Sequence, residues 1–337
     1  MAVLVLIGNF PHELIEIIVS YFSRSIKRQP DILSLRSINK NWNNYKYTVS
    51  TNNIKYCSIF NVVLDTRKYL SFDFEDRYIE NIIIITMYCN YIEYIKNMVN
   101  LRHLNFNCMC NENITCSSKI TPYLSNLTNL TRISCMRCSN ITDESIQHLT
   151  NLTYLECINC PNITDKSIAL LINLTRLNCS GCKDITDKSI KLLTHLTYLN
   201  CSGCENITDK SIKLLTHLTY LDCPFCPNIT DESVKYLTNL NDLFCFKYTN
   251  ITDDSIKYLT KLKQLSCVGC ENITDESIKL LTNLTSLNCS YCPNITDNSI
   301  RLLTNLRYLD CLFCPNILDE SIRLLTNLNC SYCPNKN

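Results

Sequence analysis

Leu196–His217, with the sequence LTYLNCSGCENITDKSIKLLTH, decides the fold of this chain because the residues on either side repeat it. The pattern recurs at a spacing of 22 residues over most of the 337-residue chain. Its first cysteine marks the period and returns at Cys135, Cys157, Cys179, Cys201, Cys223, Cys245, Cys267, Cys289 and Cys311. A fixed period in this range predicts a solenoid of stacked copies.

Each copy carries the signals of one short strand followed by one short helix. Leu199 and Cys201 alternate with polar residues, which predicts a strand with both side chains facing the core. Thr208–Asp209 suits the start of a helix of about two turns, on which Ile212 and Leu215 face the same side. Because one copy cannot cover its own apolar side, we expect neighbouring strands to pair in parallel.

The pattern LxxLxCxxCxxI followed by TDxSIxLL resembles the cysteine-containing class of leucine-rich repeats. The resemblance implies an α/β fold, a leucine-rich-repeat solenoid with a curved parallel sheet and short convex helices. Copies of that class are usually a few residues longer, so we expect a slim helical side. The solenoid is predicted over 101–337, with regular 22-residue copies over 130–327.

Most of the 24 cysteines lie in two repeat columns, those of Cys201 and Cys204. Repeated CxxC pairs suggest zinc, but zinc needs about four converging ligands and no histidine accompanies these pairs. Disulfides are disfavoured because the side chains of a ladder run parallel. We therefore expect columns of buried thiols, no metal and no cofactor.

The net charge, the apolar start of the chain, the histidines and the glycosylation sequons limit which functions and compartments fit this sequence. The net charge of +1 gives no basic excess for nucleic acid, and apolar Met1–Ile7 lacks the basic start of a secretory leader. From the charge and from this short apolar segment we expect no nucleic-acid partner and no membrane partner. The histidines accompany no nucleophile pattern, so we also expect no catalytic residues. Glycans on sequons such as Asn206 and Asn228 would crowd a stacked sheet. Together with free thiols, this favours an intracellular protein, cytoplasmic or nuclear.

Residues 1–50 carry a different pattern, that of a small three-helix domain. Pro11 begins one helical run and Pro30 a second, and Trp42 lies in a third. Phe10-Pro11-His12-Glu13, together with Ile38 and Trp42 further on, resembles an F-box, which begins Leu-Pro-x-Glu and ends Val-x-x-x-Trp. This chain departs from that pattern in having Phe10 for leucine and a longer link between the first two helices.

An F-box ahead of leucine-rich repeats implies a non-catalytic substrate-recognition subunit of a cullin-RING ubiquitin ligase. In that family the F-box docks on the ligase adaptor subunit, the cullin scaffold completes the complex, and the repeats bind a client protein. The implied adaptor-binding residues are Phe10, Pro11, Leu14, Ile18, Phe22, Ile32, Leu33, Ile38 and Trp42. The alternative is a free-standing scaffold, in which the same helices only cap the first copy.

Two irregular segments interrupt the pattern. Residues 51–100 predict a transitional cap with a degenerate repeat, whose strand contains Ile82, Ile85 and Met87. The insertion at 108–118 carries no recognisable element. After the last regular copy, three residues are missing before the next strand cysteine, so we expect an exposed final edge.

The strand residues that point away from the core vary between copies and form the concave surface that a solenoid offers to partners. Aromatic residues flanked by acids and amides suit the binding of a protein segment, although strand propensity alone also favours exposed tyrosines. The copy Leu240–Lys261 departs most from the others. The predicted client-binding residues are Tyr154, Glu156, Arg176, Asn178, Tyr198, Asn200, Tyr220, Asp222, Phe244, Phe246, Tyr308 and Asp310.

Overall fold

The structure, a computed structural model, describes residues 101–107, 121–246, 250–325 and 328–332, together with five strands among the first 100 residues. The chain forms two compact units, residues 1–152 and residues 153–337. Each unit is built on a parallel sheet.

The first unit contains a five-stranded parallel sheet and one antiparallel strand pair among its described residues. The sheet order is β1–β4–β5–β6–β7, and β2 pairs with β3. The elements are β1 (Ala2–Leu6), β2 (Ile38–Asn41), β3 (Lys46–Val49), β4 (Phe60–Leu64), β5 (Ile82–Tyr88), β6 (His103–Asn107), α1 (Thr121–Leu124), β7 (Arg132–Met136) and α2 (Asp143–Ile146).

The second unit repeats one strand and one helix per copy, and its strands pair in parallel in chain order from β8 to β16. Its strands are β8 (Tyr154–Ile158), β9 (Arg176–Asn178), β10 (Tyr198–Asn200), β11 (Tyr220–Asp222), β12 (Asp242–Phe246), β13 (Gln264–Val268), β14 (Ser286–Asn288), β15 (Tyr308–Asp310) and β16 (Asn329–Tyr332). Its helices are α3 (Asp165–Ile168), α4 (Asp187–Ile190), α5 (Asp209–Ile212), α6 (Asp231–Val234), α7 (Asp253–Ile256), α8 (Asp275–Ile278), α9 (Asp297–Ile300) and α10 (Asp319–Leu324).

The core of the second unit consists of identical buried columns. In the quoted copy Leu199, Cys201, Ile207, Ile212 and Leu215 are fully buried, as their alternation and spacing predict. The strand register places each leucine beside its equivalent in the next copy. The predicted α/β solenoid with a parallel sheet and short helices is thus confirmed.

The helices are shorter than predicted, because α3 to α9 each have four residues rather than about two turns. Beyond α5 the backbone continues in tighter turns, in which the Leu214 and Leu215 amides donate to carbonyls three residues earlier, those of Ser211 and Ile212. These turns bring the chain back to the next strand within the 22-residue period.

An aspartate in each regular copy joins that copy to the next one. The Asp187 carboxylate accepts hydrogen bonds from the Thr208 amide at 2.8 Å, the Thr208 hydroxyl at 2.6 Å and the Ser211 hydroxyl at 2.6 Å. Thr208 itself caps α5 by accepting from the Lys210 amide. Capping by the threonine was predicted, whereas the hydrogen bonds that the aspartate accepts from the following copy were not.

Residues 38–41 and 46–49 correct part of the prediction of three helices, because both segments are strands. The structure places Ile38 in β2, antiparallel to β3, where the second and third helices were expected. Ile38, Tyr47, Thr48 and Val49 have strand propensity, which outweighs helical spacing in so short a segment. The remaining predicted adaptor residues lie outside the described residues.

The ends of the repeat array also differ from expectation. Ala2–Leu6, assigned by sequence to the helical domain, pairs in parallel with Phe60–Leu64. The predicted strands around Ile85 and Leu104 are present as β5 and β6. The shortened copy still forms a strand, because β16 pairs with β15 through an irregular register; β16 is the last strand of the described sheet, so the final edge is unpaired there as predicted. The insertion at 108–118 lies outside the described residues.

Candidate functional site

Strand alternation in the second unit places two rows of side chains on one surface, here called the outward strand face. In β10 and β11 the central leucine is buried and the flanking residues are partly exposed. The register aligns Tyr198 with Tyr220 and Asn200 with Asp222, so equivalent residues become neighbours. All twelve predicted client-binding residues lie on strands β8 to β12 and β15 of this unit.

The centre of the outward strand face is a stack of Arg176, Tyr198, Tyr220 and Phe244, here called the aromatic stack. The Arg176 guanidinium carbon lies 4.3 Å from the centroid of the Tyr198 ring. The Tyr198 and Tyr220 rings stack at 4.0 Å with an interplanar angle of 13°, and Phe244 lies 5.3 Å beyond Tyr220 at a tilt of 39°. Three consecutive copies thus present one continuous, half-exposed ring surface, with the Arg176 guanidinium stacked on its first ring.

Carboxylates and amides flank the aromatic stack and are themselves oriented by hydrogen bonds. Glu156 accepts from the Tyr154 hydroxyl and from the Asn178 amide, each at 3.3 Å. Asn200 donates to Asp222 at 2.7 Å. These bonds fix where a partner would meet acceptor oxygens.

Burial perturbs the ionisable groups at this surface. Burial raises the pKa of Asp222 to about 6, from a usual value of 3.8. It also raises the pKa of Asp242, an effect that nearby Lys263 opposes. The pKa of Tyr220 is raised by burial first and then by its hydrogen bond with Tyr198, so this phenol stays protonated. Desolvated carboxylates beside aromatic rings favour a partner that supplies positive charge or hydrogen-bond donors.

Three predicted residues lie apart from the aromatic stack. Phe246 packs on Phe225 in the preceding turn, with ring centroids 5.5 Å apart. Tyr308 is 55% exposed near the far end of the sheet, and Asp310 accepts from the Ser290 hydroxyl at 2.9 Å. The structure therefore divides the predicted residues into one central cluster and outlying positions.

Sequence reasoning missed the aromatic residues of the turns. One turn position has positive φ in successive copies: Arg137, Asn159, Gly181, Gly203, Phe225, Gly269, Tyr291 and Phe313. Glycine is favoured there because a side chain costs energy in the left-handed region. Exposed Tyr291 and Phe313 instead stack on each other at 4.8 Å. Three copies have glycine at this position and three have an aromatic residue, and that contrast is the signal that sequence analysis could have used.

The cysteine columns are buried and bonded to backbone. Among the described residues 17 cysteines are buried. The Cys182 thiol donates to the Cys157 carbonyl at 2.8 Å, and the Cys204 thiol donates to the Cys179 carbonyl at 3.1 Å. Within the described ranges no three His, Cys, Asp or Glu side chains converge on one point. The absence of metal remains a prediction.

Helix length and the sequon side chains bear on membrane spanning and on glycosylation. In the described part of the chain, no helix has the length and apolar character to cross a membrane. The sequon residues Asn206 and Asn228 use their side-chain amides to bond the preceding copy, at the Lys183 and Glu205 carbonyls.

Comparisons with known proteins show similarity of fold. No protein-family model matches the chain, and no curated sequence is similar to it. A functional domain of InlJ from Listeria monocytogenes, which includes a cysteine ladder, is 28% identical, with a TM-score of 0.43; the match covers 61% of this chain and 54% of that domain. This chain thus spans about half the length of the InlJ domain.

Two further solved structures match over longer stretches. The internalin InlF from the same bacterium is 19% identical over 85% of this chain and 90% of its own, with a TM-score of 0.45. Rad7 from yeast, crystallised in complex with Elc1, is 16% identical over 96% of this chain and 98% of its own, with a TM-score of 0.50. At this identity the likeness to Rad7 is one of fold. The repeated strand–helix copies, with leucine and cysteine at fixed buried positions, identify the architecture of this chain as a leucine-rich-repeat solenoid.

Proposed function

We propose that this chain is a protein-recognition subunit whose outward strand face binds a segment of a client protein. The aromatic stack carries this proposal: Tyr198, Tyr220 and Phe244 offer a half-exposed ring surface across neighbouring strands, with oriented carboxylates beside it. Aromatic anchors of this kind dominate the binding energy of protein interfaces. The chain does no bond chemistry itself in this role.

The finer proposal is that the chain serves a cullin-RING ubiquitin ligase in the intracellular space. It rests on the F-box resemblance of the residues from Phe10 to Leu33. Rad7, which shares the fold, occurs in a complex with Elc1, so such solenoids do join assemblies. The β2–β3 pair weighs against this role because it removes Ile38 from the helical motif. The competing function is a free-standing scaffold for protein interactions.

Binding of purified ligase adaptor subunit to the full chain separates the two roles. The ligase role predicts capture of the adaptor by the wild-type chain and loss of capture in Leu14→Asp and Pro11→Ala variants. Leu280→Asp, at an exposed position on the helical side, is the matched control and should bind normally. If the wild-type chain does not bind the adaptor, the ligase role is excluded and the scaffold role is supported.

A further inference from the structure

The helical side of the second unit carries an apolar row that the core does not use. Each helix is followed, two residues after its end, by an exposed residue that stands directly before a buried leucine. This exposed residue is large and apolar in six successive copies: Leu170, Leu192, Leu214, Tyr236, Tyr258 and Leu280. Each of these side chains is between 45% and 53% exposed. Aligned exposed apolar groups mark surfaces that contact a partner, and this row lies on different elements from the outward strand face.

Charge divides this row into two halves. In the three copies that span residues 152–217, five lysines flank the leucines. All five are exposed and have no ion pair to another described residue: Lys166, Lys188, Lys191, Lys210 and Lys213. The following three copies place acids at the first of these positions. There each lysine pairs with its own acid: Lys235 with Glu232 at 3.1 Å, Lys257 with Asp254 at 2.9 Å and Lys279 with Glu276 at 2.8 Å.

We propose that the helical side of residues 166–214, here called the lysine–leucine ridge, binds an acidic, apolar segment of a partner protein. The apolar residues of the segment would cover Leu170, Leu192 and Leu214, and its carboxylates would pair with the adjoining lysines. Exposed Ile172 widens the apolar part in the same half. None of the five lysines has an ion pair to another described residue, so charge complementarity selects an acidic occupant.

Other occupants fit less well. Nucleic acid binding would use lysines together with aromatic platforms, and the apolar groups of this half are aliphatic. A bilayer takes up projecting apolar groups to a depth of about 5–10 Å, whereas half of each leucine here is covered by its own copy. A second antiparallel copy would set Lys188 and Lys191 against the already neutral Asp254–Lys257 pair, which leaves positive charge without a partner.

Selection from a random peptide display library on the full chain tests this proposal. Counter-selection uses a Lys188→Glu/Lys210→Glu variant, so that peptides bound by the outward strand face are removed. The expected survivors combine Asp or Glu with Leu, Ile or Phe. Their affinity for the wild-type chain should fall about tenfold in the Lys188→Glu/Lys210→Glu and Leu192→Gln variants and at high salt.

Matched controls lie in the other half of the row. Lys279→Glu and Leu280→Gln make the same chemical changes where the charge is internally paired, so peptide affinity should stay within about twofold of wild type. The variants alter exposed residues, and circular dichroism checks that they fold. The proposal is overturned if no peptide survives, if survivors lack acidic residues, or if the controls lose binding equally. It is also overturned if anionic vesicles compete the peptide away.

Discussion

At the scale of single residues, one aspartate in each copy does more than start a helix. The Asp187 carboxylate holds the amide and hydroxyl of Thr208 and the hydroxyl of buried Ser211, all in the following copy. The TDxS motif predicted the cap at Thr208 because that bond is local. The hydrogen bonds that Asp187 accepts depend on the distance between two stacked copies, and the sequence of a single copy does not show that distance.

Loss of this carboxylate should destabilise the chain. Asp187→Ala leaves the Thr208 amide without its acceptor and leaves the Ser211 hydroxyl only its longer bond to the Thr208 carbonyl, at a cost of about 3 kcal/mol. Urea unfolding of the full chain should show a lower midpoint. Asp184→Ala, an exposed aspartate in the preceding turn of the same copy, is the matched control and should change the midpoint little. Equal effects of the two variants would contradict a special role for Asp187.

The raised pKa of Asp222 gives the stability a defined pH dependence. Its pKa is about 6 in the folded chain and near 3.8 when unfolded, so the folded state binds its proton more tightly. Stability therefore falls as pH rises from about 4 to about 6 and stays lower above that window. Asp222→Asn should abolish this contribution.

Thermal unfolding across pH measures this effect. The melting temperature of Asp222→Asn should exceed that of the wild-type chain at pH about 7.5, and the difference should shrink toward pH about 4. Asp184→Asn provides the control for the loss of an exposed carboxylate. A difference that is constant across pH would refute the assignment to Asp222.

At the scale of elements, the turn after each strand requires a left-handed residue. Gly203 fills it at φ 72°, and Phe225 fills it at φ 59°. In a non-glycine residue this conformation costs about 1–2 kcal/mol. The aromatic turns are thus locally strained, and the strain is accompanied by a ring contact between Phe225 and Phe246.

Substitution of Phe225 separates strain from ring packing. Phe225→Gly and Phe225→Ala both remove the ring, but only glycine also removes the Cβ. We expect the glycine variant to be more stable than the alanine variant by about 1 kcal/mol, the reverse of their order in a helix. Chemical denaturation of both proteins gives the comparison. An alanine variant at least as stable as the glycine variant would rule out backbone strain at this turn.

The repeat elements show what periodicity predicts and what it omits. The identity of each strand and helix, and the burial of residues such as Leu199, Cys201 and Ile212, follow from alternation and from the copy spacing. Helix length was overestimated, because the tight turns after Ile212 satisfy the same i, i+3 apolar spacing as a second helical turn. A spacing rule cannot distinguish the two.

At the scale of the whole molecule, prediction succeeds where many copies repeat and weakens where a segment occurs once. Ile38 was placed in a helix from apolar spacing within a single segment, yet its backbone lies in β2. The outward strand face could be predicted residue by residue, since strand alternation determines it. The contact of Arg176 with Tyr198 could not, because it depends on side-chain rotamers in two copies.

The client-binding role makes a prediction for the full chain. Phe244→Ala and Tyr220→Ala should each weaken binding of the captured client by about 2 kcal/mol, because they remove anchors of the aromatic stack. Ser266→Ala, on the same face one strand further, is the matched control. Quantitative co-precipitation of a client with the three variants provides the measurement. Client binding that survives in Phe244→Ala and Tyr220→Ala would exclude the aromatic stack as the site.

The carboxylate that bonds from one copy to the next has a genetic consequence. Asp165, Asp187 and Asp209 offer identical acceptors, and Thr186, Thr208 and Thr230 present identical donors. Excision of residues 188–209 would therefore join Asp187 to Lys210 in the chain and pair the Asp187 carboxylate with Thr230, with unchanged chemistry between the copies. Tandem duplication or unequal recombination of the gene can therefore add or remove whole copies, and the hydrogen bonds between neighbouring copies stay the same.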